Sequence, residues 1–396
     1  MILKNAKIIS TKDNLNGVFD IEIKDGVITQ IASVLDGDGI DLAGKVIMPG
    51  MIEMHCHLRT PGFEYKEDME SGIAAALAGG YSAICPMANT NPVIDNTDTL
   101  DDVYARAKGI GLFQICAITK GLKGQELVDF EALYRHGAIA FSDDGRPLEN
   151  MDLYAKALKS GHLIISHAED SETLSEELAV ERELNLLRQS CAKLHFAHIS
   201  TKGSIDLIRK AKEQGLNVTC ETAPHYFTFS CYDVTQDGRF KMNPPLRSKE
   251  DVLAVIEGLQ DGTIDCIATD HAPHSLDEKT RSFAEAPFGI VGFETALGVS
   301  MSLVHNGFLT MEQLVEKLSL NPAEILGLCD YGCVKVGNKA NLTIIDPDFE
   351  WIVDEKVFKS KCKISPFNNM KMKGKAIASL VGGEFLNLEE QYANNR

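Results

Sequence analysis

The chain has 396 residues, 44% of them hydrophobic, and its 57 acidic residues outnumber 39 basic ones to give a formal net charge of −18. This length and hydrophobic content predict a globular protein with two or three domains, or with one large domain and an appendage. The acidic balance argues against nucleic acid or an anionic membrane as the main partner, although a local basic cluster can still bind a small anion.

Residues 1–49 alternate apolar and polar side chains in short stretches, namely MILKNAKIIS, FDIEIKDGVITQI and GIDLAGKVIMPG. This two-residue period is typical of β-strands, and Asp25-Gly26 is a hairpin signal. The opening stretch lacks the long apolar core of a signal peptide, so we expect none.

From Met51 the pattern changes to short apolar runs separated by segments with the helical period. There are eight such runs: MIEMHCHL, YSAICPMA, LFQICAIT, AIAFSDD, HLIISHAE, LHFAHIS, NVTCETAP and IDCIATDH. Strands that alternate with helices predict a parallel sheet. Eight repeats over residues 51–328 fit a (β/α)8 TIM-like barrel better than an open sheet.

After about Leu328 the strand pattern returns in VKVGNKANLTIIDPD and AIASLVGGEFLN. The simplest arrangement joins both chain ends in one appendage. We therefore predict an α/β protein in which residues 1–50 and 329–396 form a composite small β-sandwich domain beside the barrel of residues 51–328.

Ten cysteines are scattered along the chain without a C-x-x-C pair, and several lie inside the apolar runs. This usage is typical of buried, reduced thiols. No stretch reaches the roughly 20 apolar residues that span a bilayer. We therefore expect a cytoplasmic protein without a membrane partner.

Histidines and carboxylates end five of the eight runs. They are His55 and His57, Asp143-Asp144, His167, His198 and Asp270-His271. One H-x-H pair occurs often by chance, but the carboxyl ends of barrel strands meet at one point, so these side chains should converge. Crowded acids and imidazoles carry a desolvation cost that a divalent metal relieves. Mixed nitrogen and oxygen ligands suit zinc.

Arg59 follows His57 by two residues and would share its face on an extended strand. Its planar guanidinium offers a fork that can pair with a carboxylate. Strand alternation also lets only one of Asp143 and Asp144 point inward, and the residues alone leave open which one. His225, in TAPHY after the seventh run, is better explained as a structural or loop residue than as a ligand, and His271 should point away from the metal.

These motifs resemble the amidohydrolase superfamily and, within it, the bacterial class I dihydroorotases. The resemblance covers nearly the whole chain and rests on HCHLR, PGFEYKEDMESG, MANTNPVID, FSDDG, SHAED, AHISTK, KMNPPLR, IATDHAPH and APFGIVGFET. It implies that His55 and His57 bind the more buried metal, that Asp144 bridges two metals and that His167 and His198 hold the second. Asp270 would be both ligand and general acid/base, with one or two zinc ions (Zn2+) per chain.

The resemblance also implies the substrate, N-carbamoyl-L-aspartate, which such enzymes close reversibly to L-dihydroorotate in pyrimidine biosynthesis. It adds Asn89 and His274 to Arg59 at the substrate carboxylate, places Asn243 and the backbone of Phe288-Gly289 against the ring, and gives His57 a second role beside the substrate. Taken alone, Asn89 would be a turn residue and Asn243 a loop residue. A homodimer is expected, with aspartate transcarbamoylase as a candidate partner.

Two other functions fit parts of the pattern. A hydantoinase or allantoinase would share the barrel, but those relatives usually bridge the metals with a carboxylated lysine where this chain has Asp144. An inactive scaffold that only supports aspartate transcarbamoylase would have lost metal ligands, and none is missing. Glu53 and Thr60 depart from the usual Asp and Glu of the first motif, and Glu53 is expected to support His55 from behind.

Overall fold

The computed structural model describes residues 1–190 and 192–388. The strands run in chain order as β1 Ile2–Ser10, β2 Leu15–Lys24, β3 Val27–Ala32, β4 Ile40–Asp41, β5 Val46–Pro49, β6 Met51–Cys56, β7 Tyr81–Pro86, β8 Gly111–Leu112, β9 Ile115–Cys116, β10 Ala140–Phe141, β11 Leu163–Ser166, β12 Lys193–Phe196, β13 Val218–Thr222, β14 Cys266–Ile267, β15 Leu342–Ile352, β16 Lys371–Val381 and β17 Glu384–Asn387. The α-helices are α1 Met69–Gly79, α2 Thr97–Arg106, α3 Phe130–Arg135, α4 Met151–Leu158, α5 Glu176–Leu187, α6 Lys202–Glu213, α7 Lys249–Asp261, α8 Leu276–Lys279, α9 Phe293–His305, α10 Met311–Val315 and α11 Asn321–Leu326.

All eight predicted runs contain strands, and these strands pair in parallel with their neighbours in the chain. One sheet has the order β6-β7-β8 and another the order β14-β13-β12-β11-β10-β9, so the third run is split between β8 and β9. A parallel bridge joins Cys56, at the end of β6, to His271 beyond β14. The chain is thus a mixed α/β protein in which consecutive parallel strands end at a common edge.

The helices between these strands follow from local sequence signals. In α6, the Thr201 side chain accepts a hydrogen bond from the Ser204 N–H and so caps the first turn. Ile205 and Ile208, three residues apart, lie on one face and are buried. Among the described residues no helix is both long and apolar enough to cross a membrane.

The two chain ends build a shared antiparallel and parallel sheet with the order β17-β16-β15-β5-β1-β2-β3, and β4 pairs with β1. The ends meet where β15 runs antiparallel to β5, with Ile344 opposite Ile47. Both of these side chains are fully buried. Strands from both chain ends therefore share one sheet, while residues 389–396 of the predicted small domain lie outside the described part.

Candidate active site

The six residues predicted as metal ligands converge at the carboxyl ends of the parallel strands. They are His55 and His57 around the end of β6, Asp144 after β10, His167 after β11, His198 after β12 and Asp270 after β14, and all are buried. Asp144 lies among the histidines. Its Oδ1 is 3.4 Å from both His55 Nε2 and His167 Nδ1 and 3.7 Å from His198 Nε2, and its Oδ2 is 3.6 Å from His57 Nε2.

Two overlapping trios within this group can each surround one cation. His55, Asp144 and His198 form one trio, and His55, His57 and Asp270 form the other, with ligand atoms in each within 4.8 Å of one another. Asp270 Oδ1 lies 3.0 Å from His57 Nε2. We call the six residues the metal-ligand cluster.

Two buried polar atoms of the cluster lack a hydrogen-bond partner, namely His55 Nε2 and Asp144 Oδ1. An unpaired buried polar atom is costly, and an imidazole nitrogen beside carboxylate oxygens is a donor set that zinc accepts. Burial alone would disfavour charge on either group, yet the pKa of His55 lies well above its usual range and that of Asp144 well below, because the two face each other. The residues present therefore fit a divalent metal ion.

Hydrogen bonds set the orientation of the first two histidines. His57 Nδ1 lies 2.9 Å from Asn89 Oδ1, and His55 Nδ1 lies 2.9 Å from Glu221 Oε1. Since both oxygens only accept, each Nδ1 carries the proton and donates it. The Nε2 lone pair of each ring is thereby directed at the cluster, as a metal ligand requires.

The choice between the adjacent aspartates is settled by what surrounds them. Asp143 accepts hydrogen bonds from the backbone N–H groups of Ile118 (2.8 Å) and Thr119 (3.0 Å) and from the Thr119 hydroxyl. Its carboxylate is therefore occupied on the neighbouring loop, and Asp144 is the one in the cluster. His271 likewise turns away from the cluster, because its ring stacks on Phe293 with centroids 4.0 Å apart.

His225 and Glu53 lie close to the cluster without belonging to either trio. His225 is buried in the turn after β13, and burial lowers its pKa to about 4. Glu53 is fully buried and accepts the backbone N–H groups of His55 and Thr269, each at 2.9 Å. It thus supports His55 through the main chain, while Thr60 is buried in the loop that follows β6.

A cavity of about 170 Å³ opens beside the cluster. Its wall consists of His57, Arg59, Asn89, Asp144, Gly145, His167, His198, Asn243, Asp270, Ala272, Phe288 and Gly289. Most predicted substrate contacts therefore share one cavity with most of the predicted ligands. His55 and His274 stand behind this wall.

Arg59 reaches the cavity by a different route from the one expected. β6 ends at Cys56, so strand alternation does not extend to Arg59, whose backbone is left-handed with φ 62°. The Arg59 Nε–H donates to the Pro273 carbonyl at 3.0 Å, which aims the guanidinium into the cavity. A tight loop, rather than the strand, thus places the cation near the cluster.

His274 holds the neighbouring loop. Its Nδ1 accepts from Lys66 Nζ at 3.2 Å, so the proton sits on Nε2 and is donated to the Phe288 carbonyl at 2.7 Å. Burial, together with the charges of Arg59 and Lys66, lowers the pKa of His274 to about 2. A neutral His274 therefore fastens the segment that carries Phe288.

Three polar neighbours of the site were not predicted. Glu221 binds His55, Lys66 binds His274, and Glu169 Oε2 accepts from Asn243 Nδ2 at 3.0 Å. Glu221 had a visible signal, because an acidic residue interrupts the apolar run NVTCETAP. For Lys66 and Glu169 no local signal distinguishes them from ordinary loop charges.

The sequence matches the family model described as the amidohydrolase family over residues 46–386. A dihydroorotase of Trichlorobacter lovleyi is 42% identical over 420 aligned positions, which cover 98% of this chain and 99% of that protein. A dihydroorotase of Acetivibrio thermocellus is 43% identical over 419 positions, covering 97% of this chain and 98% of that protein.

Solved structures with the same fold include an L-hydantoinase (dihydropyrimidinase) from Arthrobacter aurescens. It superposes with a TM-score of 0.90 at 25% sequence identity, covering 98% of this chain and 95% of that one. A dihydropyrimidinase from Brevibacillus agri gives a TM-score of 0.86 at 20% identity, covering 98% and 94% respectively, and shares the fold.

Proposed function

The chain belongs to the amidohydrolase family and, within it, to the dihydroorotases, and from this premise we propose that it catalyses the reversible cyclisation of N-carbamoyl-L-aspartate to L-dihydroorotate plus water. This is a step of de novo pyrimidine (UMP) biosynthesis. The observation that carries the proposal is the meeting of the metal-ligand cluster with Arg59 and Asn89 in one small cavity.

We propose that residues 51–328 form a closed (β/α)8 barrel and that residues 1–50, together with the described residues of 329–396, form a separate small β-sandwich. The bridge from Cys56 to His271 and the hydrogen bond from the His57 N–H to the His271 carbonyl (2.8 Å) support closure between the first and last strands. The ladder between β5 and β15 supports the joining of the chain ends.

We assign one or two zinc ions to the metal-ligand cluster, in which Asp144 would be a ligand of both ions. His55, His57 and Asp270 would hold one ion, and His167 and His198 the other. When bound there, the metal supplies a Lewis acid for the ring carbonyl and makes a water molecule acidic near neutral pH. The unpaired His55 Nε2 and Asp144 Oδ1 support this assignment.

Asp270 would carry the proton in this reaction. In the hydrolytic direction its carboxylate accepts a proton from the attacking water and delivers it to the ring nitrogen as the C–N bond breaks. The reverse sequence closes the ring and releases water. Asp270 lies on the cavity wall, within 3.0 Å of His57, which supports a place beside the reacting carbonyl.

The substrate carboxylate would pair with Arg59, assisted by Asn89, with His274 behind. Since Arg59 Nε donates to the Pro273 carbonyl and Nη2 lies 3.4 Å from His274 Nε2, Nη1 remains for the ligand. Asn243 and the backbone of Phe288 and Gly289 would line the ring, as their position in the cavity wall suggests. Recognition of a carboxylate is what would distinguish the substrate from neutral cyclic amides.

We further propose a cytoplasmic homodimer, with aspartate transcarbamoylase as a candidate partner and no nucleic acid or membrane partner. The acidic composition, with a net charge of −18, supports a small-molecule substrate over a polyanionic partner.

An assay in both directions tests the activity. The purified, zinc-loaded protein should hydrolyse L-dihydroorotate and form it from N-carbamoyl-L-aspartate, with little turnover of hydantoin, allantoin or dihydrouracil. Preferential hydrolysis of hydantoin or allantoin would favour the hydantoinase-type alternative, and no turnover by the metal-loaded protein would favour a scaffold.

A further inference from the structure

A row of polar side chains extends from the metal-ligand cluster into the strand layer. Glu221 Oε1 lies 2.9 Å from His55 Nδ1, and Glu221 Oε2 lies 3.3 Å from His195 Nε2. His195 Nδ1 lies 2.8 Å from Thr219 Oγ1. The row therefore reads His55, Glu221, His195, Thr219.

The strand geometry explains why these four side chains meet. Thr219 and Glu221 are two residues apart on β13 and share a face, and His195 on β12 is the ladder partner of Thr219. At its far end Thr219 lines a second cavity of about 310 Å³, together with Lys193 and Asn217 at the amino ends of the strands. The row thus crosses the layer from one end of the strands toward the other.

The hydrogen bonds along the row have one consistent direction. His55 must keep Nε2 unprotonated to bind a metal, so its Nδ1–H donates to Glu221. The other carboxylate oxygen, Glu221 Oε2, can only accept, so His195 must donate to it from Nε2–H. His195 Nδ1 is then unprotonated and accepts a hydrogen bond from the Thr219 hydroxyl. Each proton position therefore fixes the next.

Burying these four polar side chains costs free energy unless each of them has a hydrogen-bond partner. Glu221 is 1% exposed and His195 is fully buried, and neither lines the substrate cavity. A buried carboxylate without partners would carry a large desolvation cost. The proposed reaction uses neither side chain directly. Since Glu221 contacts His55, we look for a role of the pair that acts through His55.

We propose that Glu221 is a positioning residue that fixes the tautomer and ring orientation of His55 for metal binding, and that His195 and Thr219 hold Glu221 in place. The proposal rests on the metal-binding part of the proposed function. A carboxylate behind a ligating imidazole raises the ligand's basicity and restricts its rotation, and loss of such a partner weakens metal binding by about 10- to 100-fold.

The test compares zinc affinity by competition with a chromophoric chelator, and the visible absorption of the cobalt-substituted protein, across four variants. Glu221→Gln keeps the size and removes the charge, and should weaken zinc binding by about 10- to 100-fold and change the cobalt spectrum. His195→Gln and Thr219→Val keep the carboxylate and should act in the same direction but less.

The matched control is Glu294→Gln. Glu294 accepts the backbone N–H groups of Lys359 (2.7 Å) and Ser360 (3.3 Å), outside the row and the cavity. It should leave zinc affinity and the cobalt spectrum unchanged, even if it lowers thermal stability. A drop in zinc affinity with Glu294→Gln equal to that with Glu221→Gln would overturn the positioning role, because loss of a carboxylate that does not contact His55 would then have the same effect.

Parental zinc affinity and an unchanged cobalt spectrum in Glu221→Gln would also overturn the proposal. If Glu221→Gln does not fold, parental zinc affinity and an unchanged cobalt spectrum in both His195→Gln and Thr219→Val would overturn the proposal instead. If the unsubstituted protein binds zinc but does not turn over dihydroorotate, the proposed function alone is contradicted. If it binds no zinc, both the proposed function and the positioning role of Glu221 are contradicted.

Discussion

The two halves of the cavity are built differently. The metal-ligand cluster stands at the ends of parallel strands, each tied to its neighbours by ladder hydrogen bonds. The opposite half, which we call the loop wall, consists of Arg59, Asn243, Phe288 and Gly289, with His274 behind them. It stands on loops held by side chains that donate to backbone carbonyls. Strand ends fix positions closely, whereas loops fastened by a few such bonds can adjust.

This contrast predicts two kinds of failure. Changes in the cluster should remove turnover or metal, because the ligands converge on shared points and cannot be replaced from elsewhere. Changes in the loop wall should leave the metal in place and alter how well, and how selectively, the ring is bound.

Asp270→Asn should have the largest effect on activity. The amide keeps an oxygen for the metal but cannot accept the proton, and loss of general acid/base action costs about 100- to 10,000-fold. Dihydroorotate hydrolysis and metal content should be measured on the same sample. Turnover within tenfold of the parent would show that another group moves the proton.

Arg59→Met should weaken dihydroorotate binding while metal content stays the same. The substitution keeps the aliphatic stem and removes a charge-assisted pair that contributes about 1.5–3 kcal/mol, or roughly 10- to 150-fold. The ratio of kcat/KM for dihydroorotate over unsubstituted dihydrouracil should fall. An unchanged ratio with lower thermal stability would mean that Arg59 only holds its loop.

Lys279→Met should loosen the loop wall with a smaller effect. Lys279 is 1% exposed, and its Nζ donates to the carbonyls of Lys241 and Pro287, both at 3.1 Å, just before Asn243 and Phe288. The Pro287 carbonyl would lose this donor, at about 1–3 kcal/mol, whereas the Lys241 carbonyl would still accept from the Gly289 N–H at 3.0 Å. We expect a lower Tm and a raised KM with parental zinc content.

The control for that variant is Lys193→Met, at the opposite end of the strands beside the second cavity. It should leave both KM and zinc content at parental values. A parental KM in Lys279→Met despite a lower Tm would show that the loop wall does not depend on this lysine for substrate binding.

His225→Ala should have the smallest effect on the metal. The six cluster residues already supply the assigned ligands, five of them within the two trios, and His225 is not among them. Zinc per chain should equal that of the parent. A loss of one full equivalent of zinc per chain would mean that His225 is a metal ligand in place of one of the histidines assigned to the cluster.

The same contrast explains how much could be predicted from the sequence. His55 and Asp270 follow apolar runs, and the rule that parallel strands end at a common edge was enough to bring them together, whereas the choice of Asp144 over Asp143 came from the family resemblance. The parallel order of the strands followed from the alternation of strand and helix patterns. A strand register, once set, places a whole row of side chains.

The loop wall could not be derived in this way. Asn89 and Asn243 came from family resemblance, since nothing local separates them from ordinary turn residues. Arg59 reaches the cavity through a left-handed backbone and a bond to Pro273, which alternation does not describe. Lys66 contacts His274, and Glu169 contacts Asn243, in each case across a long stretch of sequence. Contacts of this kind do not produce a periodic pattern in the sequence.

We propose that hydrolysis of dihydroorotate in the cavity between the metal-ligand cluster and the loop wall depends on metal bound to the cluster. The most direct measurement removes metal with a chelator, adds zinc back in steps, and records bound zinc per chain and dihydroorotate hydrolysis in each sample. We expect no turnover in the stripped protein and a rise that ends by two zinc ions per chain. Full turnover by the stripped protein, or bound zinc without any gain in turnover, would contradict the account.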